Sequence, residues 1–401
     1  MLQTPLEHCS HKRQPVRPSA QALILQGMGK WKDRFHKLAY DAEKGLGRAK
    51  HRVKRPYLRD GLMIFPYLGY GTAEELYLKG RVLEDKGISD PEDDHTLWRN
   101  LIDAYKRFDS DETPNARVRV RFRGQSQEVL TDEEGYFDVH LQLATPLENP
   151  DYLQEIDLEL LSPLPAKQLG THFTGTVIVP PAAAEFGIIS DMDDTVLQTG
   201  ATSLLSMAKK TLFGNARTRL PFEGVSAFYA ALHRDINPLF YVSSSPWNLY
   251  DLLVDFLDVN EIPLGPLMLR DWGISETELF ASSHGEHKVG AIESIFDTYP
   301  TLPFILIGDS GQEDPEIYHE IVHNHPDRVM CIYIRDVSKK AERDDEVQKL
   351  AAELKRDRSE LVVVPDTVTA ARHAAERGWI SPYWVEEVKE KKAEDETQPV
   401  L

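Results

Sequence analysis

The sequence predicts an α/β fold with a smaller all-β part ahead of it, and three observations carry that expectation across 401 residues. After Pro180-Pro181, short continuous apolar runs alternate with helical stretches. Between about 62 and 180, apolar and polar residues alternate one by one. Before that, a basic segment repeats its apolar residues at three- and four-residue spacing. Continuous runs indicate strands covered on both faces, hence a parallel sheet with crossover helices. Strict alternation indicates one buried and one wet face, and a period near 3.6 indicates a helix.

In chain order, the basic arm comes first (residues 1–55). Trp31, Phe35, Leu38, Ala42, Leu46 and Ala49 share one face of a helix expected from about Ser19 to Val53, ended by Pro56. The net charge of −19 hides an asymmetry. Residues 1–60 hold 14 Lys/Arg against 5 Asp/Glu, and the remainder 32 against 60. An acidic body of that kind argues against nucleic acid as a partner. The arm suits either an anionic membrane surface or the acidic body itself.

Residues 56–180 are expected to form a small antiparallel β-sandwich. Val118, Val120 and Phe122 alternate with Arg117, Arg119, Arg121 and Arg123, and similar patterns run through Leu76–Leu78, Phe137–Leu143 and Ile156–Leu160. Thr131–Gly135 has the composition of a turn. The acids Asp90, Glu92, Asp93 and Asp94 lack the regular ligand spacing of a calcium loop. This part holds no catalytic set and reads as an interaction or substrate-orienting module.

Residues 181–387 carry the expected parallel sheet, with strands at 186–189, Leu239–Val242, Leu267–Leu269, Phe304–Ile307, Met330–Ile334 and Leu361–Val364. A disordered charged tail is expected over 388–401. No apolar run is long enough for a membrane span, and the N-terminal apolar stretch is too short for a signal peptide. Two distant cysteines, Cys9 and Cys331, imply no disulfide framework, with a cytoplasmic location as the default.

Three strand ends carry chemistry. Asp191-Met192-Asp193-Asp194-Thr195 follows the first run, placing carboxylates at the carboxyl end of a buried strand, where open α/β sheets bind ligands. Such acids can divide nucleophilic and proton-transfer work, and they supply hard oxygen ligands for Mg²⁺. Ser243-Ser244-Ser245-Pro246-Trp247 follows the second, with Pro246 expected as the first residue of a helix and Ser245 as its cap. Gly308-Asp309-Ser310-Gly311-Gln312-Glu313-Asp314 follows the fourth, and Glu286-His287-Lys288 opens a helix between them. Gathered carboxylates repel unless a cation lies among them, which gives Lys288 and a metal ion their place. A competing pattern, His319-Glu320-Ile321-Val322-His323, matches H-E-x-x-H, yet no third zinc ligand follows it on the same face.

These motifs occur in the order used by the haloacid dehalogenase superfamily. More narrowly, Asp191–Val196, Tyr241–Ser243 with Ser245-Pro246-Trp247, Leu269–Gly273 and Ile307–Gly311 resemble the catalytic domain of actin-patch-type Mg²⁺-dependent phosphatidate phosphatases, a family similar in its active-site motifs to the lipins. The resemblance covers about 186–375. It implies a Rossmann-like haloacid dehalogenase sheet with a minimal cap. It also implies Asp191 as the nucleophile that forms an aspartyl-phosphate and Asp193 as the general acid and base. Ser243 and Lys288 become the groups that hold the phosphoryl oxygens. Mg²⁺ would be bound by Asp191, the Asp193 carbonyl and Asp309, with Asp314 a ligand or an orienting group. The connections before Tyr241 and Lys288 leave little room for a cap. An open site of that kind suits a phosphate presented on a bilayer, so phosphatidate is the expected substrate of a cytoplasmic, peripheral membrane enzyme. Two other readings stay open: a phosphatase acting on another lipid or protein phosphomonoester, and a non-catalytic phosphatidate sensor.

Overall fold

The computed structural model describes residues 61–84, 113–164, 170–197, 221–270, 284–338, 340–355 and 359–397. The expected N-terminal helix, the acids at 90–94 and the motif residues Asp271–Gly273 lie outside these. The alternating segments form β1 (Leu62–Pro66), β2 (Gly69–Gly71), β3 (Glu75–Glu84), β4 (Arg117–Phe122), β5 (Gln125–Leu130), β6 (Tyr136–Gln142), β7 (Leu153–Ser162) and β8 (His172–Ile178). They join in one eight-stranded sheet of order β1-β3-β2-β8-β7-β4-β5, with β6 also pairing β3. All pairs are antiparallel except β2 with β8.

Val118, Val120, Leu76, Leu78, Val139, Ile156 and Leu158 are buried in a single core under this sheet. Where the alternation suggested two sheets, one continuous sheet bends over that core. Gln125 at the start of β5 reaches the Gln142 carbonyl and the Ala144 N–H at the end of β6. A period of two reports which face of a strand is buried, and it is silent on whether two strands share a sheet.

The later runs form β9 (Gly187–Asp191), β10 (Leu239–Pro246), β11 (Leu267–Arg270), β12 (Phe304–Asp309), β13 (Val329–Arg335) and β14 (Glu360–Val364). All are parallel, in the order β11-β10-β9-β12-β13-β14. The helices are α1 (Val225–His233), α2 (Tyr250–Val259), α3 (His284–Thr298), α4 (Asp314–Asn324), α5 (Ala341–Leu354), α6 (Thr367–Glu376) and α7 (Tyr383–Thr397). Ile188, Tyr241, Ile305 and Tyr333 pack with α1, α2 and α6 on one face. Ile189, Phe240, Leu306 and Ile332 pack with α3, α4 and α5 on the other. Burial on both faces explains why these strands read as unbroken apolar runs. Counting from β9, the strand order is third, second, first, fourth, fifth, sixth, so the direction of winding reverses between β9 and β12. In doubly wound sheets the crevice at the carboxyl ends of those two strands receives the ligand.

The eight-stranded sheet leans on this one beside the loop after β10. Leu68 N–H donates to the Tyr250 hydroxyl at 2.9 Å, and the Tyr67 ring lies 4.6 Å from that of Trp247. Asn248 Oδ1 accepts from Arg81 at 3.3 Å and from the Tyr136 hydroxyl at 3.2 Å.

Two expectations need correction. The tail over 388–401 was expected to be disordered, yet α7 continues to Thr397. Val388 is fully buried, Lys392 pairs with Asp366 at 2.7 Å, and Asp395 accepts from Gly224 N–H at 2.9 Å. Its high charge is partly spent on pairs within the helix, such as Lys391 with Asp395, which composition alone does not disclose. The helix expected to start at Pro246 starts later. Pro246 ends β10 with φ −74° and ψ 155°, a 3₁₀ turn follows over Trp247–Leu249, and α2 begins at Tyr250. The φ that proline fixes serves an extended strand end as well as a first helical residue. Among the described residues no helix is long and apolar enough to cross a membrane.

Candidate active site

Asp191 closes β9 and Asp309 closes β12, and these strands are hydrogen-bonded neighbours, with Ile307 opposite Ser190. Register therefore delivers two carboxylates to one end of the sheet at the winding reversal. Ser243 comes from the next strand on the other side, where Val242 pairs with Asp191. Lys288 lies in the first turns of α3 and Asp314 opens α4. Asp191, Asp309, Asp314, Ser243 and Lys288 are all buried.

The Lys288 ammonium lies 2.8 Å from Asp191 Oδ1 and 2.5 Å from Asp314 Oδ1. Among the described residues it is the cation in contact with Asp191 and Asp314, and the nearest oxygens of Asp191, Asp309 and Asp314 lie within 4.8 Å of one another. Burial raises the Asp191 carboxyl well above the usual carboxylate range, and Lys288 opposes it while Asp314, Asp193 and Asp309 add to it. Burial likewise raises Asp309, with Asp314 adding to the rise and Lys288 and the Gly311 N–H opposing it. Burial also disfavours the Lys288 charge, but Asp191 and Asp314 outweigh that and lift its pKa.

The oxygens divide into those already held and those still open. Asp309 Oδ1 accepts from the N–H groups of Gly311 at 2.7 Å and Gln312 at 3.0 Å. Asp314 Oδ2 accepts from Asp309 N–H at 3.1 Å, so both of its oxygens are engaged. A Cβ at Gly308 would lie 2.6 Å from Asp314 Oδ2, so the close approach of that carboxylate requires a glycine there. Neither Asp191 oxygen accepts a well-aligned hydrogen bond; its protein partner is the Lys288 charge. A buried carboxylate short of donors beside two further acids fits a hard divalent cation.

Asp193 lies at the mouth, half-buried. Ser243 Oγ donates to Asp193 Oδ2 at 3.3 Å and accepts from Ser245 N–H at 3.1 Å. Ser245 thus acts through its backbone on Ser243 rather than as a helix cap. Asp194 has φ +58°, a left-handed conformation, and its N–H donates to the Leu197 carbonyl at 2.8 Å in a tight turn. Beside the acids, a groove of about 740 Å³ runs between α3 and α4. Glu286, Glu293, Glu313, Glu316 and Glu320 line it against Arg343, so its charge repels a phosphate.

The structure brings Asp191, Lys288, Asp309 and Asp314 together, with Ser243 and Asp193 alongside. It leaves the H-E-x-x-H histidines elsewhere: His319 lies on α4 and pairs with Glu353 at 3.3 Å. Among the described residues, the one group of three or more acids, histidines or cysteines with converging ligand atoms is Asp191, Asp309 and Asp314. Two residues without a role in the sequence reading also meet this site. Tyr229 on α1 holds the Ser190 hydroxyl at 2.7 Å, beneath Asp191. Gln312 Nε2 donates to the Asp193 carbonyl at 3.0 Å and sits 3.4 Å from Asp309 Oδ2. Gln312 carries a faint signal in its place three residues after Asp309; Tyr229 carries none, being one apolar-face residue among many.

Residues 186–336 match the family model of the catalytic domain of phosphatidate phosphatase APP1. Phosphatidate phosphatase APP1 of Saccharomyces cerevisiae is 28% identical over 246 residues, covering 59% of this chain and 40% of that protein. An uncharacterised protein of Schizosaccharomyces pombe is 28% identical over 252 residues, covering 60% and 39%. The chain therefore spans about two fifths of the length of these relatives. A carbohydrate acetylesterase structure from Xanthomonas citri covers 75% of this chain and 69% of its own at 11% identity, with a TM-score of 0.28 too low to bear on fold or function.

Proposed function

We propose, from the premise that residues 186–336 form an APP1-type phosphatidate phosphatase catalytic domain, that this chain is a phosphoric monoester hydrolase converting phosphatidate to diacylglycerol and phosphate. The observation that carries the reading is the buried set at the winding reversal: Asp191 and Asp314 on Lys288, with Asp309 beside them. A structural role accounts poorly for three buried acids of which two share one ammonium, because uncompensated buried charge is strongly destabilising.

In this reading the domain is of haloacid dehalogenase type and Asp191 is the nucleophile. One of its oxygens forms a bond to phosphorus as the bond to the glyceride oxygen breaks, and Asp193 gives that oxygen its proton. Water then attacks phosphorus, yields its proton to Asp193, and releases phosphate as the bond to Asp191 breaks. Ser243 and Lys288 hold the phosphoryl oxygens. Ser243, 3.3 Å from Asp193, keeps acid and phosphate on the same side of the site. Asp191, Asp309 and the Asp193 carbonyl would hold Mg²⁺; Asp314, with both oxygens engaged, acts by fixing Lys288 and Asp309. Bound there, the cation supplies neutralisation of phosphoryl charge. The acidic groove turns phosphate away, which favours approach from the mouth, and the basic arm would bring that mouth to an anionic bilayer.

The test is phosphate release from Mg²⁺-loaded protein offered phosphatidate vesicles, other lipid phosphates, a phosphopeptide and soluble phosphomonoesters, with Asp191→Asn as the blank. Preferential release from phosphatidate vesicles that vanishes in the blank is the expected result. Preference for a phosphopeptide moves the substrate assignment while keeping the chemistry. Phosphatidate binding without release in any arm makes the chain a sensor.

A further inference from the structure

Gln312 occupies a position that the proposed mechanism does not use, and its contacts are specific. Its side-chain nitrogen reaches the Asp193 carbonyl at 3.0 Å and Asp309 Oδ2 at 3.4 Å. These are the carbonyl assigned to the cation and the Asp309 oxygen that the backbone leaves open, since Oδ1 is held by Gly311 and Gln312 N–H groups. One nitrogen that meets both oxygens makes them converge on one point from two different loops. The strand ladder itself stops short of these loops, since β9 and β12 are paired up to Ser190 and Ile307. The β9 loop needs a tie, because Asp194, next to the carbonyl, sits at φ +58°. A non-glycine residue in that conformation persists only where its surroundings enforce it.

Gln312 is itself fixed from the other side. Arg343 on α5 donates to the Gln312 carbonyl at 2.7 Å and to the Ser310 carbonyl at 2.9 Å. Arg343 is anchored in turn by Glu316 on α4. Arg343 lies beyond the residues that match the catalytic-domain family model.

We infer that Gln312 is a positioning residue of the cation site: staked by Arg343, its carboxamide holds the Asp193 carbonyl and Asp309 Oδ2 in register for a divalent cation. The inference rests on the proposed reading of this site as a Mg²⁺ site. Gln312 is exposed, so its replacement leaves the core intact. Outer groups that orient metal ligands contribute about 10–100-fold to affinity.

The experiment is calorimetric titration of full-length protein with Mg²⁺, beside thermal melts, for the wild type, Asp309→Asn, Gln312→Leu and Gln312→Glu. Gln312→Leu should weaken Mg²⁺ binding by about tenfold with an unchanged melting temperature in the absence of metal. Phosphate release by that variant should recover when Mg²⁺ is raised in proportion. Gln312→Glu, which keeps the length but cannot donate to the carbonyl, should weaken the enthalpy of binding or shift its stoichiometry rather than restore the wild-type isotherm. Wild-type affinity in Gln312→Leu, with binding abolished in Asp309→Asn, overturns the role of Gln312 and leaves the metal site standing. A wild-type protein that takes up no Mg²⁺ overturns both.

Discussion

The two sheets of this chain treat their acids in opposite ways. On the eight-stranded sheet, Glu128 and Glu159 meet Arg117, Arg119 and Arg121 across β4, β5 and β7, at 2.7 to 3.8 Å, with every partner partly in water. On the parallel sheet, Asp191 and Asp314 meet Lys288 beside Asp309, all with almost no exposure. The first set has arginines enough for its acids and sits in high dielectric, so each pair contributes little. The second has, among the described residues, one cation in contact with its acids and sits where charge is costly. Among the described residues, the surface acids are balanced by arginines while the three buried acids at the reversal of winding share one contacting cation, and there the proposed site lies.

The largest expected effect breaks the buried side of this comparison. Lys288→Met leaves Asp191, Asp309 and Asp314 facing one another, and should cost about 3–5 kcal/mol in urea unfolding and abolish phosphate release. A loss within that of an ordinary surface change would mean the ammonium is not the balancing charge. Next comes a substitution of opposite sign. Asp309→Asn removes one buried negative charge, so the metal-free protein should gain about 1 kcal/mol while losing its thermal response to Mg²⁺. A protein destabilised by this change would show that Asp309 is held by favourable contacts that outweigh the repulsion. Smallest is Arg119→Ala on the other sheet, which breaks pairs to both Glu128 and Glu159. It should shift stability by no more than about 1 kcal/mol and leave phosphate release untouched.

The comparison also explains what was legible from sequence. The unbroken runs 186–189 and Phe304–Ile307 announced strands covered on both faces, and the acids after them, Asp191 and Asp309, pointed to the proposed site. Val118 and Val120 between arginines announced a one-sided sheet. Their pattern could not say that β4 and β6 belong to one curved sheet, because either arrangement buries the same residues. Pro246 misled because its φ fits strand and helix alike. The charged segment after 388 misled because composition overlooks Val388 and the pairs that Lys391 and Lys392 make. Gln312 belongs to the Gly308–Asp314 motif, but its two contacts depend on how two loops from distant parts of the chain come together.

In the proposed mechanism a carboxylate oxygen of Asp191 accepts the phosphoryl group. The most direct measurement is an acid quench of protein turning over vesicles of phosphatidate labelled in its phosphate, followed by digestion and isolation of the labelled peptide. Label is expected on the peptide containing Asp191, removed by hydroxylamine as an acyl phosphate is, and absent from Asp191→Asn. Steady phosphate release with no labelled protein, retained by Asp191→Asn, would contradict it.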